Sequence, residues 1–81
     1  MPTVLRTGQY RIYFYSHDPN EPPHVHIDRD LLSAKFWLNP VSLARNLGFP
    51  ARELRQLERL IREHQSDLLE AWNGYFSIGG R

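Results

Sequence analysis

The chain has 81 residues, 41% of them apolar and 23% charged, with a formal net charge of +1 and no cysteine. That length sets a single domain over residues 1–81, which buries only roughly 60–65% of its unfolded surface and so carries a thin core. A disulfide framework and cysteine-ligated zinc are excluded, no apolar run approaches the ~20 residues that cross a membrane, and no signal peptide is visible, so a reducing cytoplasm is the expected location.

Thr3 to Arg6 (TVLR) reads as a short strand and Thr7-Gly8 as a turn. Gln9 to Ser16 (QYRIYFYS) is rich in aromatic and β-branched residues and reads as a second strand. The loop HDPNEPP follows, and its prolines cannot donate to a ladder. His24 to Asp28 is a third strand, Arg29 to Leu32 a turn, and Ser33 to Leu38 (SAKFWL) a fourth strand. Asn39-Pro40 then reads as a helix start, asparagine as N-cap and proline at the first helical position, with Gly48 closing a short helix.

Pro50 starts a long helix over roughly residues 51 to 76. Its apolar stripe is Leu54, Leu57, Ile61, Leu68, Ala71, Trp72 and Tyr75, at spacings of three and four. His64 falls on the stripe as a core-edge histidine, and Trp72 with Tyr75-Phe76 reads as a set of core anchors. Glu58–Arg62 and Arg59–Glu63 add support along the helix. Arg52, Arg55, Arg59 and Arg62 sit off the stripe, as a solvated face or as a docking surface for an acidic partner or nucleic acid. The expected fold class is α+β: an antiparallel sheet of three to four strands from the N-terminal half, packed against a short helix and a long C-terminal helix.

Side chains alternate across a strand. Val25 and Ile27 oppose His24, His26 and Asp28; Ala34, Phe36 and Leu38 oppose Ser33, Lys35 and Trp37; Tyr10, Ile12 and Phe14 oppose Arg11, Tyr13 and Tyr15. If the apolar faces receive the helices, the other face collects Arg11, Tyr13, Tyr15, His24, His26, Lys35 and Trp37. Bases, imidazoles and flat rings together suit a surface that stacks nucleobases and meets phosphates. Arg6 joins it if the first strand has the right register. An ordinary solvated sheet face has a similar composition. The base usage is also suggestive, because nine of the ten basic residues are arginine and only Lys35 is lysine. Arginine suits bidentate phosphate or carboxylate recognition, although GC-rich coding explains the bias equally well.

Three chemistries can use the His24–His26 pair. The first is acid–base cleavage of RNA. The two imidazoles project from one strand face about 7 Å apart and transfer protons, Lys35 or Arg11 stabilises the developing phosphate charge, and Tyr13 or Tyr15 donates a proton or stacks a base. The second is a metal site, with His17 or Asp28 as third ligand. The third is binding without turnover.

The opening MPTVLRTGQYRIYFYS, then EPPHVHI, AKFW, NPVSLARNLGF and ARELRQLERLIREHQSDLLEAWN, resemble a family of small bacterial proteins catalogued as a domain of unknown function, DUF4160. The resemblance runs from Val4 to about Phe76, and EPPHVH and AKFW are its specific blocks. It implies a gene neighbour that pairs with this chain as a type II toxin–antitoxin module, with this chain as the toxin and a cognate antitoxin as its partner. Toxins of this size are commonly ribonucleases, which is an analogy between classes. The loop RDLLS departs from the polar, glycine-bearing turn expected there, so Leu31 and Leu32 are candidates to cover an antitoxin or a second copy in a homodimer. The leading expectation is a toxin that acts on RNA as a metal-independent ribonuclease without a cofactor. His24, His26 and Lys35 are its catalytic candidates, and Arg11, Tyr13, Tyr15 and Trp37 its nucleic-acid contacts. The alternative is a non-catalytic protein- or nucleic-acid-binding module, or a metal-binding HxH site.

Overall fold

A computed structural model describes residues 3–15 and 20–76. They form β1 (Thr3–Thr7), β2 (Tyr10–Tyr13), β3 (His24–Arg29), β4 (Leu32–Leu38), β5 (Val41–Leu47), α1 (Ala51–Glu63) and α2 (Gln65–Phe76). The strands make one sheet in chain order, each antiparallel to the next. The α+β architecture is as expected, with two departures in the element plan.

The first departure is a fifth strand. Residues 41–47, expected as a short helix, pair along β4 as β5, with Leu38 opposite Val41 and Ser33 opposite Leu47. Asn39-Pro40 is the turn between the two strands and not a helix start. A helix of two turns pays the full nucleation cost for few hydrogen bonds. The open edge of β4 instead offers a ready ladder for the same backbone groups. Gly48 leaves the strand at φ 105°, and a Cβ there would sit 2.6 Å from Leu32 Cδ2. It serves a close approach at the sheet corner and not a helix end.

The second departure is that the long helix is two helices of similar length. His64 leaves helical geometry at φ −108°, ψ 13°, and its N–H is shared between Leu60 O and Ile61 O. The first residue of α2, Gln65, donates its Nε2 to Leu38 O at 2.6 Å, tying the start of that helix to the end of β4. No proline or glycine marks the break, and the apolar stripe runs through it.

The core lies between the helices and one sheet face. Ile12, Val25, Ile27, Ala34, Phe36 and Leu38 are buried there beneath Leu57 and Ile61 of α1 and Leu68 of α2. Phe49 seals the corner, bracketed by Asn46, whose Oδ1 accepts from Phe49 N at 3.0 Å and whose Nδ2 donates to Phe49 O at 2.9 Å. A polar clamp fixes α1 to the sheet: Arg29 makes a two-pronged bond to Glu53 at 2.6 and 2.7 Å, and Tyr10 donates to Glu53 Oε2 at 2.6 Å. Glu53 also stands in the first turn of α1, where the helix dipole favours a carboxylate.

Candidate nucleic-acid interface

The strand registers set the outer face residue by residue. Tyr13, His26, Lys35 and Arg45 stand opposite one another on β2, β3, β4 and β5, forming one row across four strands. A second row runs through Arg6, Arg11, Asp28, Ser33 and Leu47. At the sheet end, His24 faces Trp37 and Trp37 faces Ser42. Arg6 therefore has the register that places it beside Arg11.

Arg45 reaches this face through a bulge. Lys35 pairs with Arg45 and Phe36 with Leu43, so Ala44 is an extra residue in β5. Without the bulge, strict alternation would send Arg45 to the same side as Leu43. A bulge reverses the facing of the residues after it and so re-aims a side chain. No sequence signal marks it.

The first row lines a cleft of about 250 Å³, walled by Tyr13, Tyr15, His26, Lys35, Arg45 and Leu47. Tyr15 lies just beyond β2 and meets Tyr13 edge-on at 5.6 Å and His26 at 4.7 Å between ring centroids. His26 stacks on Tyr13 at 5.3 Å with 19° between the planes. Arg11 lies over the Tyr13 ring, 4.6 Å from its centroid, and Lys35 Nζ stands 4.6 Å over Trp37. Such cation–aromatic contacts hold flexible bases in place without neutralising them.

Tyr13 donates to Asp28 Oδ2 at 3.0 Å. Burial, then hydrogen bonding with Tyr15 and Asp28, push its phenol well above the usual tyrosine range. It is a neutral donor at any physiological pH. Lys35 Nζ is 2.7 Å from Glu21 Oε1, and that hydrogen bond holds the Glu21 carboxyl below the usual carboxylate range.

The two histidines differ in setting. Their ring centroids are 5.3 Å apart, at 85°. His26 is half-buried in the cleft wall, whereas His24 is wholly buried. Trp72 of α2 covers His24 from the sheet end at 4.8 Å, and the same indole packs on Phe14 at 5.2 Å. His24 Nδ1 lies 2.9 Å from Pro22 O. A carbonyl only accepts, so Nδ1 carries the hydrogen in this contact. Nε2 of each histidine is buried.

In the alternative metal reading, His24, His26 and Asp28 do not assemble as a ligand set. Among the described residues, no group of three His, Asp or Glu side chains stands close enough to hold a metal ion, and Asp28 Oδ2 accepts from Tyr13. His17, the other candidate third ligand, lies outside the described residues. The α1 arginines Arg52, Arg55, Arg59 and Arg62 are carried by the helix layer, away from the outer sheet face, and Arg62 pairs with Glu58 at 2.7 Å. Among the described residues, no helix is long and apolar enough to cross a membrane.

A family model described as a domain of unknown function, DUF4160, matches residues 10–73. No curated protein and no solved structure matches the chain.

Proposed function

The chain belongs to the DUF4160 family, and we propose that it engages single-stranded RNA through the outer sheet face, as the toxin half of a toxin–antitoxin pair. The row Tyr13–His26–Lys35–Arg45, lining one cleft, carries this reading. Tyr13 is buried, with Arg11 and His26 on its ring, so it supports the face from within. The half-buried rings of Tyr15, His26 and Trp37 supply stacking for unpaired bases, and two cations on neighbouring strands meet the phosphodiester. A cleft of about 250 Å³ is shallow for a small-molecule pocket but suits a nucleotide lying across strands.

Two modes of action use the same face. In the cleaving mode, the ribose 2′-oxygen bonds to phosphorus as the bond from phosphorus to the 5′-oxygen breaks. His26 takes the 2′-hydroxyl proton and gives it to the leaving 5′-oxygen, and Lys35 and Arg45 meet the charge that develops on the phosphorus oxygens. His24, edge-on to His26 at 5.3 Å along the same strand, is then a positioning residue. Burial of Nε2 on both rings favours the second mode, in which RNA is held without turnover.

The test is growth after induced expression of the wild type and of a Lys35→Ala/Arg45→Ala variant, with folding of both checked by circular dichroism. Arrest by the wild type alone is expected. Equal arrest by a folded variant removes the outer face from the account. Cellular RNA from the arrested culture then separates the modes: fragments that form in the presence of chelator point to cleavage, and intact RNA points to binding.

A further inference from the structure

We infer that the position of the Glu21 carboxylate is a phosphate subsite, and that Glu21 is its internal occupant in the ligand-free protein. This rests on the reading of the outer face as an RNA-binding surface. Glu21 Oε1 sits 2.7 Å from Lys35 Nζ and 3.6 Å from His24 Nδ1. Its charge is favoured by Lys35, by His24 and by His26 together, which is the surrounding an entering phosphate oxygen would meet.

The cation has a second support besides its occupant. Trp37 lies under the Lys35 ammonium at 4.6 Å, a contact in which Glu21 takes no part. The segment that carries Glu21 is fixed by other bonds, Pro22 O to His24 Nδ1 at 2.9 Å and Pro23 O to Leu38 N at 3.0 Å. Only the carboxylate has to leave, and the Glu21 side chain is 47% exposed. An ion pair of that exposure is weak and exchanges readily. A phosphodiester that also reaches Arg45 on the next strand can displace it. Glu21 thus raises the threshold for any ligand that offers one isolated negative charge, and it selects for one that spans both cations.

The experiment is fluorescence anisotropy with a short fluorescein-labelled single-stranded RNA of mixed sequence. The variants are Glu21→Gln, Lys35→Ala and their double variant, with Glu58→Gln on α1 as a control of equal charge change. Glu21→Gln is expected to bind at least about fivefold tighter than the wild type. Glu58→Gln should change affinity by less than about twofold, as a screened charge on the other layer. The gain should vanish when Lys35 is also replaced. Wild-type affinity in Glu21→Gln, alongside weakened binding by Lys35→Ala, overturns the inference and leaves the RNA reading standing. A gain that survives the loss of Lys35, or that Glu58→Gln matches, overturns it as a general charge effect. If no variant binds, the inference and the RNA reading fall together.

Discussion

Lys35 and Arg45 face each other across β4 and β5 on the outer side of the sheet, and they do so because Ala44 is an extra residue in β5. The pair places two cations side by side in one cleft wall, next to His26 on β3. Lys35 is engaged by Glu21 and steadied by Trp37, while Arg45 projects from an exposed edge strand.

If both residues meet phosphates, each should contribute one contact to the salt dependence of RNA binding. For a single strand, the slope of log affinity against log salt falls by about 0.7 per phosphate contact. Lys35→Ala and Arg45→Ala should each flatten the slope by about that amount, and the double variant by about twice it. Anisotropy titrations at several salt concentrations measure this. Weaker binding with an unchanged slope would assign the two residues a structural part.

Trp72 holds the sheet end together. It covers His24, packs on Phe14 at 5.2 Å and meets Phe76 at 4.3 Å, and it is 4% exposed. Truncating a buried aromatic to alanine removes its burial and leaves a cavity, at a cost of about 3–5 kcal/mol. A domain of this size has little more than that to lose. Trp72→Ala should therefore be largely unfolded at room temperature, or have a greatly lowered urea midpoint. Near wild-type stability would mean that α2 does not pack as described.

The Glu53 clamp makes stability depend on pH with a fixed sign. The bond from Arg29, then that from Tyr10, holds the Glu53 carboxyl below its ordinary value of 4.5. A group whose pKa falls on folding stabilises the folded state when ionised. That contribution is fully present above the unfolded value and is lost as pH falls through the folded one. Glu53→Gln should thus melt below the wild type at neutral pH, with the gap closing under acid. Thermal melts across that range report it, and a gap independent of pH would contradict the clamp.

Much of the sheet was legible because its alternation is plain. In HVHID and SAKFWL every second residue is apolar, and Val25, Ile27, Ala34, Phe36 and Leu38 are the buried set. The α1 stripe was equally clear, and Leu57 and Ile61 are its buried residues. The segment from Asn39 to Gly48 misled because its end residues carry helix-boundary chemistry while its middle is decided by the edge of β4. Local propensity yields to such tertiary pairing. The break at His64 had no breaker residue to announce it. In the site, alternation placed Arg11, Tyr13, His26, Lys35 and Trp37 on one face, but it could not foresee the cover over His24. That burial depends on Trp72, almost fifty residues further along the chain. Arg45 stayed hidden behind the bulge, and Glu21 behind a loop whose path no pattern fixes.

The most direct test of the RNA-binding face is a titration of isotopically labelled protein with short single-stranded RNA, followed by backbone and side-chain NMR shifts. The expected changes fall on Tyr13, Tyr15, His26, Lys35 and Arg45, with Arg52, Arg55 and Arg59 on α1 unmoved. Shifts confined to the α1 arginines, or no shifts at all, would contradict the assignment of the outer sheet face as the RNA-binding surface.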